Sequence, residues 1–226
     1  EETDYSPQKR HAMKTNNSTI PKTSVLTALF VLVAIGISYS ANKTFTGPGN
    51  FSDATKWNGG TLPATSDGLI INNTCFIDAA MAELAYGDLN LGGGVPGTVF
   101  WPVASTNTLS VKNISDGGAG GSVDMTNGGT LTLRGTWNPS GVSFISGSGT
   151  VDVEVPPPPM GFNYPVYNHL IVRPGTGNDA RLENDVTING NLTITSGVTM
   201  DTRSGANTYN SGTSVTLTAS PASGST

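Results

Sequence analysis

Short triplets of the form apolar–any–apolar recur along this chain, and Asn, Gly, Ser or a charged residue follows closely after them. Side chains that alternate in this way are typical of short β-strands with one buried face. Successive triplets begin at nearly regular intervals of roughly 20 residues, within the range of known structural repeats. The eight clearest copies occupy residues 69–71, 89–91, 109–111, 131–133, 151–153, 170–172, 192–194 and 215–217.

A repeat of about 20 residues has room for two or three short strands and their turns. One such unit cannot bury its apolar face alone, but stacked copies build a continuous core. We therefore predict an all-β fold, a right-handed parallel β-helix or β-solenoid with coils of about 20 residues. Weaker triplets at 123–125 and 186–188 fall between the main ones and leave a β-sandwich as the alternative. The only helix-like run is 78–88.

Residues 183–202 illustrate one predicted coil. Strand 186–188 is followed by an Asn-Gly corner, then by strand 192–194 and a Ser-Gly corner. Glycine and asparagine suit such corners because they tolerate positive φ. We also predict that asparagines just past the triplets stack into amide ladders. These are Asn72, Asn113, Asn127 and Asn189.

The N-terminal part of the chain has the pattern of an export signal. Residues 13–40 combine two lysines, an apolar core at 25–37 and small residues before Ala41. We predict cleavage near Ser40/Ala41 and secretion or display at the outer surface of a bacterium, with a membrane anchor as the alternative. Residues 1–12 are interpreted as an upstream or non-native segment, 41–68 as an N-terminal cap, and 69–226 as a solenoid truncated at its C-terminus.

Residues 47–72 carry Gly49, Asn50, Phe51 and Ser52, then Trp57, and later Gly59, Gly60, Pro63, Asp67 and Ile70. This stretch resembles the start of secreted bacterial surface proteins, and residues 167–202 are similar to the repeats of the same class. The resemblance is to parallel β-helix or solenoid proteins of adhesin or autotransporter-passenger type. It implies a cell-surface role, and some members of this architecture are polysaccharide lyases or hydrolases. We interpret Phe51 and Trp57 as covering the first coil, with sugar stacking by Trp57 as the alternative.

Charge narrows the choice of partners. From Ala41 onward there are 13 acidic and 7 basic residues, a net charge of −6. This balance argues against nucleic acid as a partner. We expect extracellular glycans or other cell-surface molecules instead. Contact with a membrane is expected only through export or through a C-terminal part missing from this sequence.

No residue set identifies a reaction, which favours a protein without catalytic activity over an enzyme. Cys75 is expected to be a buried apolar residue, and His169 a structural one. Asp152 and Glu154 share one face of a strand, and acids two residues apart can bind Ca²⁺ or cleave glycosidic bonds. A solvated face is the simpler interpretation, so a calcium site is the weaker alternative to having no cofactor. Asp179, Glu183 and Asp185, near Arg181, form a second acidic group.

The segment 154–170 contains four consecutive prolines, which cannot join a sheet ladder. We predict that they lead the chain away from the sheet and so expose Phe162, Tyr164 and Tyr167, whose rings suit stacking on glycans. Packing of these rings against the solenoid is the alternative. We expect a non-catalytic structural or adhesive segment of an exported surface protein. The alternatives are a polysaccharide-active lyase or hydrolase on the same scaffold and a carbohydrate-binding module.

Overall fold

A computed structural model of the chain describes residues 40–78, 85–138, 140–155, 160–162, 164, 166–175, 179–182, 186–201, 208–209 and 215–217. Its regular structure is almost entirely β-strand. The helical elements in the described part are two short 3₁₀ helices, Ala54–Lys56 and Asn58–Gly60. Most of the helix-like run at 78–88 lies outside the described residues.

The strands follow in chain order. The first eleven are β1 (Asn42–Phe45), β2 (Gly49–Asn50), β3 (Gly68–Ile71), β4 (Thr74–Phe76), β5 (Leu89–Leu91), β6 (Gly97–Phe100), β7 (Ser105–Val111), β8 (Ile114–Asp116), β9 (Gly121–Asp124), β10 (Gly128–Leu133) and β11 (Val142–Ile145). The next ten are β12 (Thr150–Val155), β13 (Met160–Phe162), β14 (Val166–Tyr167), β15 (His169–Pro174), β16 (Asp179–Leu182), β17 (Thr187–Ile188), β18 (Leu192–Ile194), β19 (Thr199–Asp201), β20 (Thr208–Tyr209) and β21 (Val215–Leu217).

Three sheets contain most of these strands. Sheet I has the order β1-β3-β5-β8, sheet II the order β2-β4-β6-β9-β11, and sheet III the order β7-β10-β12-β15-β18-β21. Two further sheets, β13-β16-β19 and β14-β17-β20, lie in the later coils. All strand pairs in the described residues are parallel. Neighbouring strands of each sheet therefore come from successive coils, which confirms the solenoid and excludes the β-sandwich.

The inward column of sheet III is built from the predicted triplets. Its members are register partners in successive coils: Leu109, Leu131, Val151, Leu170 and Leu192. The backbone of Val215 continues the register from Leu192. From Leu109 to Leu192 these side chains are at most 2% exposed. Full burial of one such side chain contributes about 1.5 to 3 kcal/mol. The column is thus a continuous apolar core along the stack.

The even spacing of the triplets suggests a single column, but the structure divides them between two sheets. Those at 69–71 and 89–91 belong to sheet I, and Leu89 pairs with Ile114 rather than with Leu109. The coil from Leu89 to Ile114 is longer than the preceding one, which runs from Leu69 to Leu89. Because this coil is longer, the next evenly spaced triplet, at Leu109, falls on a different sheet before the coil has closed. All these residues still point inward.

The predicted amide ladder is wrong for the two asparagines whose partners are resolved. Asn113 donates to Asp88 at 2.7 Å and accepts from the Thr136 N–H at 2.8 Å, whereas Asn127 donates to the Trp101 carbonyl at 3.3 Å. Pairs of other side chains link neighbouring coils, such as Ser115 with Asn90 and Thr98 with Ser122. Mixed polar pairs therefore connect the coils, because their register brings different residue types together.

The N-terminal end is covered by the segment 51–67, which we call the cap. Strands β1 and β2 already pair with β3 and β4, so the first coil lies within the 41–68 region assigned to the cap from sequence. Trp57 forms an antiparallel bridge with Phe45 of β1, and their ring centroids are 5.1 Å apart. The indole N–H donates to the Phe51 carbonyl at 2.9 Å. The cap thus covers apolar surface at the open end of the stack.

Candidate functional site

Asp152 and Glu154 lie next to Arg173, which stands one coil further along on β15. The Arg173 guanidinium donates to both carboxylate oxygens of Asp152, at 2.6 Å from Nε and 2.5 Å from Nη2. Glu154 is 3.8 Å from the same Nη2. The Asp152 carboxylate raises the pKa of Arg173 through this hydrogen bond. An internal cation is therefore already bound where a calcium ion was considered.

No group of three or more His, Cys, Asp or Glu side chains within the described part is arranged to hold a metal ion. The second acidic group lies only partly within the described residues. Glu183 and Asp185 lie outside the described residues. Asp179 and Arg181 belong to β16, and only their backbone is described.

The aromatic loop presents less ring surface than its sequence indicated. Tyr164 is 8% exposed and Tyr167 is 2% exposed. The Tyr164 ring lies 4.7 Å from Trp137, and its hydroxyl donates to the Val142 carbonyl at 3.0 Å. Both tyrosines also contact Phe144, at centroid distances of 5.3 and 5.6 Å. The two rings pack on the solenoid, in agreement with the alternative interpretation, and offer no open face for a sugar.

Phe162 ends β13, and only its backbone is described. Its glycan-binding role therefore stays a prediction. Trp57, considered as a second stacking residue, is 2% exposed and lies between Phe45 and Phe51. Its ring is covered on both sides, in agreement with the interpretation of Trp57 as a cap residue.

Cys75 and His169 have the structural surroundings expected from the sequence. Cys75 is fully buried in β4, and burial raises the pKa of its thiol, with a smaller contribution from the nearby Asp78 carboxylate. A thiol of this kind is a poor nucleophile because the thiolate is disfavoured. His169 accepts the backbone N–H of Asn191 at 3.0 Å through Nδ1, which joins two neighbouring coils.

A polar groove lies at the corner where the chain passes from sheet III into sheet I. Its cavity volume is about 490 Å³. Its walls come from the first four coils, since Asn42, Ser66, Tyr86, Lys112 and Arg134 all line it. A groove of this volume has the size of a small-molecule site.

Lys112 and Arg134 were missed as site residues from sequence. Each directly follows an inward triplet, so they hold the same position in two consecutive coils. An alignment of the repeats on their triplets would have placed these two cations at the same repeat position. Asp88 and Asn90, on either side of the inward-facing Leu89, also line the groove.

Among the described residues, no helix has both the length and the apolar character needed to cross a bilayer. Comparisons with protein-family models, with curated proteins and with solved structures find no match for this chain.

Proposed function

We propose that this chain is a non-catalytic structural and adhesive segment of an exported bacterial cell-surface protein. The observation that carries the proposal is a column of hydroxyl side chains on the outer face of sheet II. Thr74, Thr98, Ser122 and Ser143 occupy one register position in four successive coils. Neighbouring strands are about 4.8 Å apart, so the column is a regular array of hydroxyl groups.

The array is held in place by the core beneath it. Cys75, Val99 and Val123 alternate with the hydroxyl residues and are at most 1% exposed. The hydroxyls of Thr98 and Ser122 lie 2.9 Å apart. A rigid array that repeats at a fixed interval supports many weak contacts at once, which gives strong attachment through avidity.

The N-terminal contacts fit export followed by cleavage before Ala41. The Ala41 backbone nitrogen lies 2.9 Å from the Asp67 carboxylate, which is 6% exposed and also accepts the Ala64 N–H. Cleavage of the peptide bond between Ser40 and Ala41 would turn the Ala41 nitrogen into an ammonium group facing a buried carboxylate. The resulting ion pair would fasten the new N-terminus to the cap.

Expression of the full chain in a bacterial host with N-terminal sequencing tests the export step. We expect a product outside the cytoplasm that begins at Ala41. A cytoplasmic product that retains residues 13–40 would contradict it.

Attachment is tested with beads that carry the exported product in flow over polysaccharide-coated surfaces. The double variant Thr98→Ala/Ser122→Ala removes two neighbouring hydroxyls, and we expect bead retention to fall roughly tenfold because avidity multiplies small losses. The control Thr65→Ala alters a hydroxyl in the cap, away from sheet II, and should retain beads like the wild type. Equal retention of both variants and of albumin-coated beads would contradict an adhesive role.

The predicted alternative, a polysaccharide lyase or hydrolase, is tested with the same sample. Incubation with acidic and neutral polysaccharides should leave the content of reducing and unsaturated ends unchanged. New ends of either kind would replace the adhesive proposal with an enzymatic one.

A further inference from the structure

We infer that the corner groove binds a sugar that carries a carboxylate group. This inference rests on the proposed function, since it names a ligand class for the proposed cell-surface segment at a site separate from sheet II. The groove brings two cations, one carboxylate and several amide and hydroxyl groups to one corner of the stack. The charges, the unused donors and the hydroxyl-binding groups of this lining carry the argument.

Two glycines shape the floor of the groove. A Cβ on Gly68 would lie 2.4 Å from Oδ1 of Asn42, and a Cβ on Gly87 would lie 2.8 Å from the Ser66 carbonyl oxygen. The coils approach closely at both points, so no side chain fills the corner. The polar side chains around these glycines therefore border an open space.

Lys112 and Arg134 make the groove locally basic. They follow β7 and β10, which pair directly, so their backbones lie one coil apart at the same corner. Both ion pairs found within the described part of the chain belong to Arg173, so neither groove cation has a carboxylate within 4.0 Å there. The whole chain has a net charge of −5, so this unneutralised pair is a local exception. Such a pair attracts an anion.

Arg134 is fixed in position and still has an unused donor. Its Nη2 donates to the Tyr86 carbonyl oxygen at 2.5 Å, which carries the guanidinium towards the coil of Asp88. Its Nε is buried and finds no hydrogen-bond partner in the described part of the chain. Because this Nε is covered by the protein, a ligand in the groove would meet the guanidinium through its Nη groups instead. A carboxylate fits because guanidinium and carboxylate form short, charge-assisted hydrogen bonds.

The remaining polar groups suit sugar hydroxyls better than a second acid. Asp88 accepts from the Asn113 amide at 2.7 Å and has acceptor capacity left for a hydroxyl donor. Its negative charge disfavours a second anionic group beside it. The Asn90 carbonyl oxygen accepts from Ser115 at 2.7 Å, so its amide N–H groups are the ones left to donate to a ligand. One acid group together with several neutral hydroxyls describes a uronic acid residue.

Isothermal titration of the full chain with cellobiouronic acid tests this inference. Cellobiose is the matched neutral probe, because it carries a hydroxymethyl group where the acidic sugar carries its carboxylate. We expect cellobiouronic acid to bind at least tenfold more tightly than cellobiose, and its binding to weaken as sodium chloride rises. Equal binding of both sugars, or binding of neither, would overturn the inference. Inorganic phosphate that competes as well as the acidic sugar would show an anion site without sugar recognition, which also overturns it.

Variants place the ligand in the groove. Lys112→Gln and Arg134→Gln should each lower the affinity roughly tenfold, whereas Lys43→Gln removes one positive charge outside the lining and should leave it unchanged. Lys112 is exposed, so we expect Lys112→Gln to fold like the wild type. It therefore tests the inference even if Arg134→Gln, which loses the hydrogen bond to Tyr86, fails to fold. An equal loss in Lys112→Gln and Lys43→Gln would overturn the assignment to this groove.

The bead assay separates the two proposals. If cellobiouronic acid fails to bind while retention still depends on Thr98 and Ser122, only the groove inference fails. If the double variant retains beads like the wild type but the sugar binds through Lys112 and Arg134, the adhesive role of sheet II fails.

Discussion

At the scale of single residues, Gly129 shows how closely the corners are packed. Its φ is +84°, and a Cβ there would lie 1.9 Å from Cδ1 of Trp101. Trp101 is fully buried, and its indole N–H donates to the Asn107 carbonyl at 2.9 Å. The indole therefore fills the space that a side chain at position 129 would need. Position 129 requires glycine both for its backbone conformation and for its neighbour.

Replacing Gly129 by alanine should lower the free energy of unfolding by about 2 to 5 kcal/mol. Left-handed backbone accounts for about 1 to 2 kcal/mol of this loss, and overpacking against Trp101 for about 1 to 3 kcal/mol. The control is Gly59→Ala, whose φ of +78° is similar but whose Cβ would meet no atom within 4 Å. Chemical denaturation measures both variants. Equal losses would show that the contact with Trp101 has no effect.

The local pattern could predict burial where the orientation of a side chain depends only on its immediate neighbours in sequence. Leu131 and Val151 were assigned to the core because alternation within a strand decides which side chains face inward. The contact between Arg134 and Tyr86 could not be predicted in this way. These residues are far apart in sequence, and only the lengths of the intervening coils bring them together. The groove therefore became visible only from the structure.

At the scale of elements, β12 and β15 are joined by an ion pair on the outer face of sheet III. Register places Asp152 opposite Ile171 and Glu154 opposite Arg173, so the Asp152–Arg173 contact is diagonal. The Asp152 side chain is 13% exposed and that of Arg173 is 40% exposed. Partial burial reduces screening by solvent, so this pair should contribute more than a fully exposed one.

A double-mutant cycle on Asp152→Ala and Arg173→Ala should give a coupling energy of about 1 kcal/mol, near the top of the range for surface pairs. Thermal and chemical unfolding of the four proteins measure it. Glu154→Ala with Arg173→Ala is the matched cycle, and its coupling should be smaller because that contact is longer, at 3.8 Å. A larger coupling for Glu154 would reverse the assignment of the main partner.

The offset between the two columns of triplets is also a property of elements. The interval from Leu89 to Leu109 matched the repeat but joined residues on different sheets. Local alternation marks a strand without stating which sheet the strand joins. The length of each corner decides which sheet the next strand joins. Corners rich in glycine have no alternation of apolar and polar residues from which that length could be predicted.

At the scale of the whole molecule, buried phenols make the stack sensitive to alkali. Burial raises the pKa of Tyr86 from 10.0 to about 12, with a smaller contribution from the Asp67 carboxylate. Burial also raises the pKa of Tyr164 to about 12, and the pKa of Tyr167 is raised in the same direction. These residues lie in both early and later coils of the described core, so their ionisation affects the stack at several levels.

Stability should be constant below pH 10 with respect to these groups and should fall as the pH rises from 10 towards 12 and beyond. The sign follows because the unfolded chain loses its phenolic protons near pH 10, whereas the folded chain holds them to a higher pH. Circular dichroism and tyrosinate absorbance, recorded together along a pH series, measure the effect. Tyrosinate absorbance of these three residues that rises near pH 10 while the fold persists would contradict it.

Tyr86→Phe is the informative variant for this effect. The Tyr86 hydroxyl is buried and finds no hydrogen-bond partner in the described residues, so its removal should not lower stability at neutral pH. The variant should also resist alkali to a higher pH than the wild type. Tyr164→Phe, which loses a hydrogen bond to Val142, should instead be less stable at neutral pH.

The three tryptophans of the chain, Trp57, Trp101 and Trp137, are 2%, 0% and 6% exposed and occupy three different heights in the stack. Each is a natural fluorophore shielded from quenching by water. Keeping one and replacing the other two by phenylalanine would yield a probe for the front, the middle or the later layers. Emission from such single-fluorophore proteins could then record the order in which the layers come apart under denaturant or mechanical load.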